Sequence, residues 1–357
     1  LLYSLCKQKS DGFACLNGAV SSEAPASNWP SDFNYPVRNI AMKLEMLPGQ
    51  DLQRQGPPAS VGRILSSWWE RAEDYQKLVY TIAGALFVIG LLHGAIWLVV
   101  GGGWADNVSW RKPTLFLTAC GITATTFAWS MNYLKVDRQT GWQLAIGVIV
   151  PATFVSSMVA LQQWRGTRSH FNFFESPLDA VIAASMVVMI QLLLPTAFIF
   201  SRLTFTALRP VPKDLALALR AGILMVNISF FIGFVTIMNA VTNGLLFTLQ
   251  NPSVIGTAGT MKVPHGVALH GLQIFLALVA VLYFSRWSEA SRLAVLRLAV
   301  AGYGLLVGVA VFQTLSGHAP LDLSFVVSAA VGTGLVLLAA ACTLALWARI
   351  AAPRQSA

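Results

Sequence analysis

The residues best suited to chemistry in this chain are its five histidines and a small set of cations near them. The densest group is Lys262-Val-Pro-His265-Gly-Val-Ala-Leu-His270-Gly-Leu-Gln273, which opens a long uncharged stretch. Imidazole and amide groups are costly in lipid, so at the mouth of a membrane helix they face protein or water. A helix turns about 100° per residue, which sets His265 and His270 about 140° apart. That spacing argues against one ion shared on a regular helical face, where the pattern HxxxH would succeed. His270 and Gln273, three residues apart, share a face. Pro264 suits the first helical turn, and the positive helix end there keeps His265 neutral, as a ligand or hydrogen-bonding partner must be.

Two further groups carry charge. One is Trp110-Arg111-Lys112-Pro113; the other is Gln162-Gln-Trp-Arg165-Gly-Thr-Arg168-Ser-His170-Phe-Asn172. Arginine suits bidentate binding of carboxylate or phosphate, so Arg111, Lys112, Arg165, Arg168, His170, Asn172 and Gln273, with Lys262 nearby, are candidates for holding an anionic small molecule or a lipid head group. The competing reading makes the same cations snorkelling anchors at the membrane interface. His93, His265 and His270 are the candidate metal ligands. A transition metal needs three or four converging donors, and haem b needs two histidines facing one another from different helices, such as His93 and His270.

The elements that position these residues follow from composition. The chain is 55% hydrophobic and 11% charged, against about 25% charged residues in soluble domains. Apolar runs of membrane-spanning length recur, which makes the fold class all-α: a polytopic transmembrane helix bundle of about eight spans. The expected spans are 78–100, 113–134, 142–163, 178–201, 214–240, 264–285, 296–315 and 322–348. Residues 1–60, rich in Ser, Pro, Gly and Asn, read as an irregular tail. Residues 61–77 mix Trp68 and Trp69 with charges and read as an amphipathic interfacial helix. The bundle then runs over 78–348, followed by a short tail over 349–357. Pro151 and Pro195 should kink the third and fourth spans. The small residues Gly302, Gly304, Gly308, Ala329, Ala330, Gly332 and Gly334 suit close packing of the last two. Polar residues of the fifth span, Asn227, Ser229, Thr236 and Asn239, suit interhelical hydrogen bonds or a cavity lining.

Lys and Arg near the span ends divide about 13 to 5 between the two sides. The positive-inside rule then places both termini in the cytoplasm (N-in/C-in) of a bacterial cytoplasmic membrane. The net charge of +9 reflects this pattern and implies no nucleic-acid partner. All five histidines fall on the opposite, outward side, and no acid lies deep in a span, which argues against a mid-membrane proton relay.

Trp110-Arg-Lys-Pro113, Arg165-Gly-Thr-Arg-Ser-His-Phe-Asn172 and His265-Gly-Val-Ala-Leu-His-Gly-Leu-Gln273 together resemble an uncharacterised family of bacterial multi-pass membrane proteins. Its marks are a Lys-Pro helix start, an Arg-Gly-x-x-Ser-His-Phe-Asn loop and a His-x-x-Gly-x-His-x-x-Gln helix start. Gly266 directly after His265, and Ala268 where the family has Gly, depart from it. The resemblance implies that the three motifs belong together; it brings no activity. The leading expectation is an outward polar pocket of His93, Arg165, Arg168, His170, His265, His270 and Gln273 that binds a metal, a haem or an anionic small molecule, with catalysis one use of it. The alternatives are a transporter or channel entered through this pocket, and an accessory subunit that meets other membrane subunits as well as the lipid bilayer.

Overall fold

The computed structural model describes residues 69–350, apart from 104, 105, 107, 249 and 286. The tail over 1–60, the first eight residues of the helix expected over 61–77, and residues 351–357 lie outside the described residues. Among the described residues the fold is helical apart from one short strand pair. In chain order the elements are α1 (Asp74–Val100), α2 (Arg111–Ser130), α3 (Arg138–Trp164), α4 (Pro177–Gln191), α5 (Leu193–Thr206), α6 (Lys213–Thr242), a two-residue-strand hairpin β1 (Val254–Ile255) and β2 (Gly259–Thr260), then α7 (Lys262–Leu269), α8 (Gly271–Tyr283), α9 (Glu289–Leu315) and α10 (Phe325–Ile350). They make eight helical spans long and apolar enough to cross a membrane, the fourth being α4 with α5 and the sixth α7 with α8.

Helices outrun the apolar runs that announce them. α1 begins at Asp74, α3 at Arg138 and α9 at Glu289, each several residues before the expected span. The reason is local: backbone bonding continues into a polar first turn wherever a cap accepts the free N–H groups. Glu73 and Gln76 form a capping box at α1, Asp137 accepts from Thr140 N at α3, and Ser288 accepts from Ser291 N at α9.

The fourth span breaks at Leu192, because Pro195 lacks an N–H and its ring crowds the carbonyl of Gln191 one turn earlier. Pro151, by contrast, lies within the unbroken 27-residue helix α3. The sixth span breaks at His270, which the sequence pattern did not announce. α3 is central, with half of its most apolar window buried, and α10 is peripheral, with 17%. Large apolar side chains such as Leu98, Val99, Phe198, Phe231 and Val336 stand on the outside of the bundle, as a bilayer requires.

Close approach depends on glycine at two crossings. A Cβ on Gly121 would stand 2.6 Å from the Ala83 carbonyl oxygen, so α1 and α2 meet backbone to backbone. One on Gly302 would stand 2.8 Å from the Gly334 oxygen, joining α9 to α10, whereas Gly308 and Gly332 face open space. The polar fifth span is tied to its neighbours by hydrogen bonds. Asn227 donates to Ser201 Oγ on α5 at 2.5 Å, and Asn239 donates to the Pro252 carbonyl at 2.8 Å.

The two ends of the bundle differ. One carries the short connections 134–137, 207–212 and 284–288, and it is laced together. A bridge pairs Leu134 with Leu208, Arg209 Nε donates to the Leu134 carbonyl at 3.0 Å, and Asp214 meets Arg292 at 2.7 Å. The other carries the long connections 101–110, 165–176, 243–261 and 316–324, and all three sequence motifs lie there.

Candidate functional site

The 165–176 loop is built on one buried carboxylate. α3 ends at Trp164, and Gly166 takes a left-handed φ of 69° that turns the chain back. Asp179, in the first turn of α4, then receives Arg165 Nη1 at 2.5 Å, Gln162 Nε2 at 2.9 Å and Ser176 Oγ at 2.6 Å. Arg165 also donates to Gln162 Oε1. Asp179 and Gln162 are buried. Arg165, expected to hold a ligand, is therefore engaged in closing its own loop. Gln162 and Asp179 were not expected to organise this loop. The pattern Ser176-Pro-Leu-Asp179 carries a signal for them, since it reads as a capped helix start with an acid in the first turn.

The second half of the loop is organised differently. Arg168 Nε donates to Glu175 Oε1 at 3.1 Å and its guanidinium lies 4.8 Å over the Phe174 ring. Asn172 Nδ2 donates to the other oxygen of Glu175 at 2.7 Å. Between them Phe171 adopts φ 55°, a left-handed conformation rare for an aromatic residue. Arg168 Nη2, Asn172 Oδ1 and Thr167 Oγ1 are buried with no hydrogen-bond partner among the described residues. His170 stacks near Phe116, with centroids 5.1 Å apart, and its Nδ1 lies 2.9 Å from Ser169 Oγ. Burial, and then the charges of Lys112 and Lys262, push its pKa down to about 3, so it is neutral.

That coupling identifies the neighbours of the loop. Arg111 and Lys112 open α2, and Lys262 opens α7. Lys112 lies within electrostatic reach of Lys262, Arg111 and Arg168, and Lys262 within reach of Arg111. Cations from three separate stretches thus lie within electrostatic reach of Lys112, and Lys112 and Lys262 within reach of His170. The N-terminal ends of α2 and α7 add their partial positive charge to the same region. Such a region is suited to receiving an anion.

The histidines are placed otherwise than a metal or haem requires. His93 Nδ1 lies 2.8 Å from the Ile89 carbonyl one turn back, and Nε2 accepts from Trp164 Nε1 at 3.2 Å. Both ring nitrogens are engaged, a set satisfied by the neutral Nδ1–H tautomer, which leaves no lone pair for iron. His265 Nδ1 donates to the Ser229 carbonyl at 2.8 Å, while Ser229 Oγ donates to the His265 carbonyl at 2.8 Å, so this residue joins α7 to α6. His270 occupies the break between α7 and α8, where Tyr303 Oη donates to the Val267 carbonyl at 2.5 Å. Gln273 completes the break. With its nitrogen turned to the Leu269 and His270 carbonyls, at 3.1 and 3.2 Å, its oxygen accepts from Thr123 Oγ1 at 3.1 Å. Among the described residues no three His, Cys, Asp or Glu side chains are grouped to hold a metal ion. His93 and His265, two of the expected ligands, thus have ring nitrogens bonded to other groups of the protein. The hydrogen bonds of Gln273 are likewise internal to the sixth span and its contact with α2.

Comparison with protein-family models, with curated proteins and with solved structures finds no match for this chain.

Proposed function

We propose that this multi-pass membrane protein binds an anionic group at the long-loop end of its bundle, through Arg111, Lys112, Arg168 and Lys262 beside a neutral His170. The ligand class is a small carboxylate or phosphate, or the phosphate of a lipid head group. What supports this reading is the placement of Arg111 and Lys112 at the start of α2, Lys262 at the start of α7 and Arg168 in the 165–176 loop, all at the long-loop end, with Lys112 in electrostatic reach of the other three. An anion near these cations is favoured by their charge and by the N-terminal ends of α2 and α7. Cations clustered in this way also raise the local concentration of anionic ligands by focusing the field.

The same reading includes orientation. The excess of Lys and Arg at the short-loop end, about 13 against 5 across the chain, supports both termini in the cytoplasm of a bacterial cytoplasmic membrane and the anion site outward. The joint presence of the three motifs, the basis of the resemblance to an uncharacterised bacterial membrane family, is what such a site needs.

The test is binding of inorganic phosphate, citrate and a phosphatidylglycerol-doped bilayer to the purified protein in phosphatidylcholine nanodiscs, by calorimetry and native mass spectrometry. Retention of at least one anion, weakened about tenfold or more in Lys262→Met and Arg168→Met, is the expected result; each lost charged contact of this kind contributes about 1.5–3 kcal/mol. Indifference of the protein to all three probes would overturn the proposal. Labelling of Gly166→Cys by a membrane-impermeant maleimide in intact cells, with the native cysteines replaced, checks the outward placement.

A further inference from the structure

We infer that the anion taken by this site bears a hydroxyl group next to its charge, as a glycerol phosphate, a sugar phosphate or a hydroxy acid does. This rests on the anion reading above and narrows its ligand class.

The observation is a donor and an acceptor left open on two side chains that bond one carboxylate, Glu175. Asn172 is fully buried, and its Nδ2 donates to Glu175 Oε2. That bond fixes the orientation of the amide, since the nitrogen and not the oxygen must face a carboxylate. Oδ1 therefore points away from Glu175, and it has no hydrogen-bond partner among the described residues. Arg168 flanks the same carboxylate from the other oxygen, and its Nη2 is also buried and without a partner among the described residues. A buried acceptor and a buried donor without partners are rare in folded proteins, and each calls for an occupant.

The two open atoms have different requirements. Arg168 Nη2 requires an acceptor, and an anionic oxygen serves it best. Asn172 Oδ1 requires a donor, which a fully ionised phosphate or carboxylate lacks. A simple anion satisfies the first and leaves the second unmet; a simple cation does the reverse. A ligand with a charged oxygen and a neighbouring hydroxyl satisfies both. Thr167 Oγ1, the third unpartnered atom of the loop, can donate or accept and so fits either side of such a ligand. Glu175 holds the two side chains in register, acting on Arg168 and Asn172 together, and so positions the site without touching the anion.

The experiment compares ligands of equal charge that differ in the hydroxyl. Glycerol 1-phosphate and methyl phosphate are titrated by calorimetry into protein held in phosphatidylcholine nanodiscs. In a parallel arm, phosphatidylglycerol and phosphatidylmethanol are doped into the nanodiscs and the retained lipid is counted by native mass spectrometry. The arm that binds tells a soluble ligand from a lipid head group. Within it, the hydroxyl-bearing partner is expected to bind about five- to tenfold more tightly, the effect of supplying a buried acceptor with its donor. Asn172→Leu should bring that ratio to about one. A ratio near one in the unsubstituted protein overturns the inference, and means that Asn172 Oδ1 meets only water. A ratio that Asn172→Leu leaves unchanged overturns it as well. Failure of all four ligands to bind defeats the anion reading itself, and with it this inference.

Discussion

Removing Lys262 should stabilise the ligand-free protein and cost it its ligand. Lys262 acts on Arg111, Lys112 and His170, and it forms no ion pair among the described residues. Two unit charges about 8 Å apart at an effective dielectric constant of about 20 repel by about 2 kcal/mol. Lys262 is exposed, so solvent and salt reduce that figure; relief of about 1 kcal/mol in total is the reasonable expectation for Lys262→Met. For a chain of this size that corresponds to a rise in melting temperature of about 2 °C. The control is Lys135→Met, an exposed lysine at the other end of the bundle, which should change stability by less than about 0.5 kcal/mol. The assay is intrinsic-fluorescence melting in detergent at low salt, with and without the best-binding anion. Ligand at about 100 times its Kd should add about 3 kcal/mol to the unsubstituted protein and much less to the variant. The opposite signs are the point of the experiment. A lysine that only anchors the helix at the interface would lower the melting temperature when lost and leave the ligand shift unchanged, and that pair of results would refute the reasoning.

Asp179→Ala leaves Arg165 and Gln162 facing each other without their shared acceptor, and should lower stability by about 2–4 kcal/mol, read as a fall in melting temperature and faster proteolysis at Gly166. His170 gives a pH signature. Its pKa in the folded protein is about 3 against an ordinary 6.5, so between those values the unfolded chain takes up a proton that the folded one does not, and the stability present above about pH 6.5 is lost as pH falls toward 3. The upper bound is about 5 kcal/mol, and partial exposure reduces it to about 2. His170→Gln should flatten the slope from pH 6.5 down to about 4, below which Asp137, held under the usual carboxylate range by Thr140, adds its own loss. Gly121→Val would drive a side chain into the Ala83 carbonyl and should cost about 1–3 kcal/mol, whereas Gly308→Val, facing open space, should be nearly neutral in the same melt.

The spans were legible because a bilayer demands a run of apolar residues that no other fold needs in such number, and the break at Leu192 was legible because Pro195 announces it. The break at His270 was not. No proline stands at it; it is held open by groups from elsewhere, the Tyr303 hydroxyl on Val267 and the Gln273 amide that also reaches Thr123. The partners of the histidines were hidden for a related reason. Residue type shows what an imidazole can do, but its partners decide what it does, and the partners here are the Ile89 carbonyl one turn away and the Ser229 carbonyl on another helix. The cations were marked by their place at the span ends poorer in Lys and Arg. Even so, nothing in Arg165-Gly-Thr-Arg168 distinguishes the arginine that closes the loop on Asp179 from the one that keeps a nitrogen open.

The acids at the long-loop end sharpen the argument for a ligand. Asp106 accepts from Gly103 N, Asp179 takes Arg165, Asp322 pairs with His318, and Glu175 divides itself between Arg168 and Asn172. Three of the four thus act at places other than the junction of Arg111, Lys112, Arg168 and Lys262. Fold stability alone would favour an acid at that junction, and one substitution in the first turn of α2 or α7 would supply it while also suiting the helix dipole. The chain instead has three cations in those two first turns, the arrangement least favourable to the helices themselves. A charge pattern of this kind at two helix starts is one that suits a nearby anion. The proposed anion, whether dissolved or carried on a lipid, would meet that charge at the junction.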